Sequence, residues 1–249
     1  MIPSRTAPLV AALWAVLLGL LPATRAFAET LPDRRPAMVG SGPGSLTDLI
    51  DANGLFQRGQ RDAWVMFQCA VTGGGIVFGS DFFTASPGAD LLKNEIRRRL
   101  RQARFIPAVY NHKEVNAFFA GTVFFVVANG KPHLRIYAHQ ELDEIKRGAD
   151  FVAPQYIVVP NHGVSDFPEF PAGFKHEEVP AMVKLRHSVD ANGKTTDVQV
   201  ISERPAGYHL GEWLKKALPL VDFLPGYRNG RPAATSYTRT WVYGQTIGW

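Results

Sequence analysis

The chain has 249 residues, 46% of them hydrophobic and 20% charged, which is enough apolar content for one or two folded domains and too much for a disordered chain. A formal net charge of +5 admits an acidic partner, and because no nucleic-acid motif accompanies it, nucleic acid is not the expected partner. The single cysteine, Cys69, excludes an internal disulfide.

Residues 1–5 form a short basic stretch, 7–21 an apolar run, and Ala26-Phe27-Ala28 an A-x-A site. Together they predict a signal peptide over 1–28, cleaved before Glu29. The rival reading is a retained membrane anchor. Its apolar run of about fifteen residues is shorter than the roughly twenty needed to span, and Pro22 and Arg25 interrupt its end. Either way the body of the protein is expected in the periplasm, touching the membrane only if this segment stays. Residues 29–61 follow as a leader. Pro32, Pro36 and Pro43 with Gly40, Gly42 and Gly44 make it extended or loosely ordered, save for a short helix over 45–52 capped by Ser45 and stopped at Asn53-Gly54.

Residues 62–159 read as a first module. Val65, Phe67, Cys69 and Val71 alternate as one face of a strand, Gly73-Gly74-Gly75 turns the chain, and Leu92, Ile96, Leu100 and Ala103 form a helical stripe. The apolar run 122–127 meets Asn129-Gly130, so 134–137 is expected to fold back as an extra hairpin strand. A short helix at 141–147 and a strand at 155–159 come next. Pro160, Pro168, Pro171 and Pro180 then mark a linker over 160–180.

Residues 181–245 carry the clearest pattern. Val183, Leu185, His187 and Val189 alternate with polar residues as a half-buried strand, Asp190 to Gly193 turn it, and 196–200 returns. Pro205 closes this hairpin. Leu210, Leu214 and Leu218 are spaced as a helix that Pro219 ends. Phe223-Leu224-Pro225-Gly226, Asn229-Gly230-Arg231-Pro232 and a last extended run over 235–243 complete the stretch. The turn residues Asp190 and Gly193, the pair Phe223 and Pro225, and the run Asn229-Gly230-Arg231-Pro232 resemble the C-terminal domain of the TonB family of periplasmic energy transducers. The resemblance implies a small α+β domain that receives an extended segment by β-strand addition.

Moving back 118 positions finds the pattern again. Val65 matches Val183, Val71 matches Val189, Gly75 matches Gly193, Pro87 matches Pro205, Leu92 matches Leu210, Leu100 matches Leu218, Phe105 matches Phe223 and Asn111 matches Asn229. The expected fold class is therefore α+β, with two tandem modules, each a three-stranded antiparallel sheet with one helix packed on it (β-β-α-β). The first copy departs from the family pattern at Thr72 and at Asn111-His112-Lys113-Glu114.

The residues capable of chemistry read as structural. Cys69 shares strand parity with Val65 and Phe67 and aligns with His187, so both should face a core, where a thiol without an electropositive neighbour is inert. His112, His133, His139, His162, His176 and His209 form no metal-ligand spacing and are expected as scattered surface histidines. Gly193-Lys194-Thr195 lacks the earlier glycine of a phosphate loop. Lys93, Arg97, Arg98, Arg101 and Arg104 form the polar face of the first helix, and would be where an acidic partner docks. No catalytic residue, cofactor or metal is expected. Of three function classes, an enzyme lacks a motif, and a TonB-type transducer lacks the long spacer and polar anchor residues. A binding module that captures a protein or extended peptide in the periplasm is the favoured expectation, with a membrane-anchored TonB-type energy transducer for outer-membrane transport as the alternative. The binding module's expected docking strand is 235–243, with Thr240 on the receiving edge and Tyr237, Arg239, Trp241 and Tyr243 on one face for selectivity; pairing of the same edge in a homodimer or with the first module is the alternative.

Overall fold

Ala37, Val39, Leu46, Ile50 and Leu55 carry enough apolar surface to draw the start of the chain onto the first core, where all five are buried. The computed structural model describes residues 30–148, 150–158, 170–175 and 180–244, and Leu31–Trp249 form one unit. The expected signal segment and most of the 160–180 linker lie outside the described residues. The segment expected to be a loose leader is instead built in, as β1 (Arg34–Arg35), α1 (Leu46–Leu49) and α2 (Ala52–Gln57). Ser45 caps α1 as anticipated, its hydroxyl accepting the Asp48 amide at 3.2 Å. The Asn53-Gly54 pair does not end that helix. Asp51 starts a new one there, accepting the Gly54 amide at 2.8 Å.

Alternation then produces β2 (Ala63–Val71) and β3 (Val77–Ala85), paired antiparallel through the 72–75 turn. α3 (Asp90–Leu100) lays Leu92, Ile96 and Leu100 on the sheet, all fully buried. Its first turn is capped from a distance: buried Gln60 accepts the Leu92 amide at 2.9 Å and donates to the Gly88 carbonyl at 3.1 Å. β4 (Ala108–Tyr110) and the long β5 (Lys113–Ala128) follow, and β6 (Lys131–Tyr137) folds back on β5 through Asn129-Gly130, as the sequence predicts. The strand path is β3-β2-β5-β6, with β4 and β1 beyond the other end of β5.

After α4 (Leu142–Lys146), two short strands join the halves of the chain. β7 (Phe151–Val152) and β8 (Gln155–Val158) precede β9 (Ala181–Val189), β10 (Thr195–Arg204), α5 (Leu210–Ala217), β11 (Phe223–Leu224), β12 (Gly226–Arg228), β13 (Arg231–Ala233) and β14 (Thr235–Tyr243). β8 pairs with β5 on one side and β11 on the other, and β7 pairs with β12. The Gln155 side chain closes the join, bonding both the amide and the carbonyl of Ala37 at 2.7 and 2.8 Å. The cores exchange residues too, since Leu224 sits in the first and Phe151 and Ala153 in the second.

The result is a mixed α+β fold of antiparallel sheets. In the second half the order is β10-β9-β14, with Leu210, Leu214 and Leu218 buried beneath it. Element boundaries recur at the 118-residue offset: β9 repeats the bounds of β2, and β12 those of β4. So do details that sequence pattern does not dictate. The Phe105 amide donates to the Gly75 carbonyl at 2.9 Å and the Phe223 amide to the Gly193 carbonyl at 3.3 Å. The edge strands β3 and β10 each carry two bulges, at 78 and 83 in one and at 196 and 201 in the other.

Candidate functional site

β14 pairs with β9 over nine consecutive positions, from Thr235↔Val189 to Tyr243↔Ala181, without a register shift. The register places Tyr237 opposite His187, so the odd-numbered residues of β14 share the core side of the sheet. Tyr237 and Arg239 are buried, and Trp241 and Tyr243 are half-buried and packed on the second core. The face expected to offer selectivity is thus turned inward, and these four side chains are not presented to a docking strand. The signal was in the sequence. The alternation of 183–189 makes His187 core-facing, and any antiparallel register that sets Tyr237 beside it turns the whole odd face inward.

The inward face holds a polar network centred on His187. Thr195 donates its hydroxyl to the Leu218 carbonyl at 3.1 Å and therefore accepts from His187 Nε2–H at 2.9 Å. That leaves His187 Nδ1 to accept from the Tyr237 hydroxyl at 3.2 Å. Burial, reinforced by the positive charge of Arg239, pushes the His187 pKa down to about 3, so the ring is neutral and both its nitrogens are occupied. The Arg239 guanidinium lies 4.4 Å over the Trp241 ring. His139, expected at the surface, is fully buried between Tyr137 and Phe151, and burial draws its pKa down to about 4. Among the described residues no cluster of three or more His, Cys, Asp or Glu is placed to hold a metal.

Cys69 lies in the first core with Leu92, Ile96 and Leu100, and burial pushes its thiol pKa up. A maleimide reagent is therefore expected to label it in denaturant but not in the native protein over the same interval; fast native labelling would contradict the packing. The basic face of α3 is partly neutralised from within. Buried Glu95 pairs with Arg98, with Arg99 at 2.8 Å and with Arg58 at 3.5 Å, while Arg97 sits 5.0 Å over Phe82. An acidic partner finds less free charge there than the sequence suggested.

The outer edge of β14 has a different character. The Thr238 amide points away from β9 and donates to the Glu141 carboxylate, at the start of α4. Because amides alternate along a strand, those of Thr240 and Val242 face the same outer edge. No strand among the described residues covers them. On the solvent side of the sheet, Thr240, Lys184 and Ser202 form one cross-strand row, and Val242, Met182 and Arg204 the next. Opposite them stand Trp64, Met66 and Thr84 of the first sheet. Between lie two open hollows of about 280 and 200 Å³ that share Thr84, Lys184 and Thr240 and so form one groove. Sequence reasoning missed this groove. The even-numbered parity of β9 marks Lys184 as exposed, but which surface faces it depends on contacts between distant segments. Comparison with protein-family models, curated proteins and solved structures gave no match.

Proposed function

We propose that the chain is an exported periplasmic binding protein made of two copies of one β-β-α-β module, and that the second copy captures an extended protein segment by strand addition at the outer edge of β14. The observation that carries the reading is the contrast between the corresponding edges of β5 and β14. β6 covers β5 from Thr122 to Ala128, and the positions 118 residues later begin at Thr240, on an edge that no described strand occupies. The other edge is blunted in both halves by paired bulges, which twist a strand away from further pairing, whereas the ladder of β14 is regular. Export follows from the expected signal at 1–28, and the TonB resemblance supports the docking mode.

A fluorescein-labelled peptide with the sequence of Lys131–Tyr137, the strand that occupies the equivalent edge, tests the reading directly. Thr240→Pro removes one outward donor without touching the bonds to β9, a position where an edge strand accepts proline. Capture is expected to weaken several-fold, and Glu141→Ala, which frees the Thr238 amide, is expected to strengthen it. Unchanged anisotropy titrations for both variants, each folded by circular dichroism, would remove β14 as the docking edge. Concentration-dependent dimerisation that Thr240→Pro abolishes would instead assign the edge to a second copy of the chain.

A further inference from the structure

We infer that the segment received at β14 is acidic, its carboxylates lying in the groove over Lys184 and Arg204. This rests on the strand-addition reading and adds the chemistry of the partner to it. The groove opens along Thr240, the first free position of the docking edge, and its floor is the solvent face of β9 and β10. Of the charged side chains that line it, Asp143 is offset by a cation, while Glu141 keeps its negative charge although it accepts a hydrogen bond. Glu141 accepts the Thr238 amide, and Asp143 pairs with Lys146 at 3.2 Å. Both cations are free: neither Lys184 nor Arg204 has a carboxylate or other hydrogen-bond partner among the described residues. The groove therefore presents two cations against the one carboxylate, Glu141, that has no cationic partner there, a net positive charge, beside the hydroxyls of Ser202, Thr84 and Thr240. These are hydrogen-bond donors suited to carboxylate oxygens.

Geometry sets which side chains of the guest enter. In the first half, Arg135 stands opposite Phe124 and Tyr137 opposite Thr122. Carried over by 118 positions, the guest residues in those places stand opposite Val242 and Thr240, whose side chains face the groove. Alternate residues of the guest thus point over the same surface as Lys184. An added strand lies one strand spacing from β14 and about 10 Å from β9, a gap that a glutamate and the four-carbon stem of Lys184 close between them. Arg204, one strand further, acts through its field, which in 0.1 M salt reaches about 10 Å.

The test compares two peptides on the intact protein: the Lys131–Tyr137 sequence, and the same sequence with Arg135 and Tyr137, the residues that fall in the Arg204 and Lys184 rows, each replaced by glutamate. The acidic peptide is expected to bind roughly tenfold more tightly, the equivalent of about 1.4 kcal/mol. That preference should shrink as salt rises and reverse in the double variant Lys184→Glu, Arg204→Glu, whose sites are exposed and whose fold circular dichroism can check. Equal affinities, or a preference that the double variant leaves intact, would overturn the acidic specificity; strand addition would still stand if Thr240→Pro weakened both peptides. A preference that needs Lys184 and Arg204 but ignores Thr240→Pro would keep the anionic groove and overturn strand addition. Binding of neither peptide would overturn both.

Discussion

Replacing Gly193 by alanine is expected to lower the unfolding free energy by about 3–5 kcal/mol, a large share of the 5–15 kcal/mol typical of a folded domain. The cause is a close approach, compounded by backbone conformation. A Cβ on Gly193 would stand 1.9 Å from the Phe223 carbonyl oxygen, which belongs to the backbone and cannot rotate away. Its φ of +82° adds a left-handed penalty of about 1–2 kcal/mol for any side chain. Gly75 stands in the same relation to Phe105, at 2.2 Å and φ of +74°, so Gly75→Ala should behave alike. Gly74, one position earlier, has only the Thr72 hydroxyl at 3.8 Å. Urea unfolding should show Gly74→Ala close to the parent and the other two far below it. A near-neutral Gly193→Ala would mean that the 190–193 turn does not pack under Phe223.

Stability is expected to fall steeply with acid, and two buried histidines set the slope. Burial holds His187 near pKa 3, helped by Arg239. Burial likewise holds His139 near 4, opposed by Glu144 and helped by Arg228. Both stay neutral in the folded chain, while in the unfolded chain they take up protons below about pH 6.5. The unfolded state then binds more protons, so the contribution is complete above pH 6.5 and is lost as pH falls toward 4 and 3. Near pH 5 each histidine adds about 1.4 kcal/mol per pH unit to the slope, roughly 3 for the pair. His187→Gln keeps a donor and an acceptor in place of the ring but does not titrate. Its unfolding free energy, measured between pH 5.0 and 6.5, should change by about 1.1 kcal/mol per unit less than the parent's, since the unfolded ring is only half protonated at the upper end. An unaltered slope would show that His187 titrates alike in both states.

Much of the fold is legible in local pattern. The alternation of 183–189, the turn at Gly193, the stripe of Leu210, Leu214 and Leu218 and the hairpin at Asn129-Gly130 each state their structure within a few residues, because period and turn chemistry are local properties. The built-in start of the chain is not legible that way. Its prolines and glycines speak of loops, while what fixes it is the Gln155 amide, reaching back from 118 positions away to Ala37. The docking edge stands between these cases. Strand 235–243 and the shared face of its aromatic residues were readable, but an arginine in that row suggests solvent, and only the partner strand reveals that Arg239 is covered. The groove depends on which solvent face of one sheet meets the other, which no window of sequence encodes.

Tyr156 stacks on Phe118 with ring centroids 5.7 Å apart, and meets Phe223 at 5.9 Å and Trp241 at 6.1 Å, so one ring on the shared strand β8 touches the first sheet, the second core and the docking strand together. Neither half can melt alone without stripping that strand of half its pairing, and the two are bound to a common cooperative transition. Occupancy of β14 is then felt far from the edge. Any guest that favours the folded ladder raises the free energy of opening for the whole unit, in proportion to the logarithm of its concentration over its dissociation constant. A packing defect beneath α3, conversely, would surface as weaker capture at a strand that it never touches.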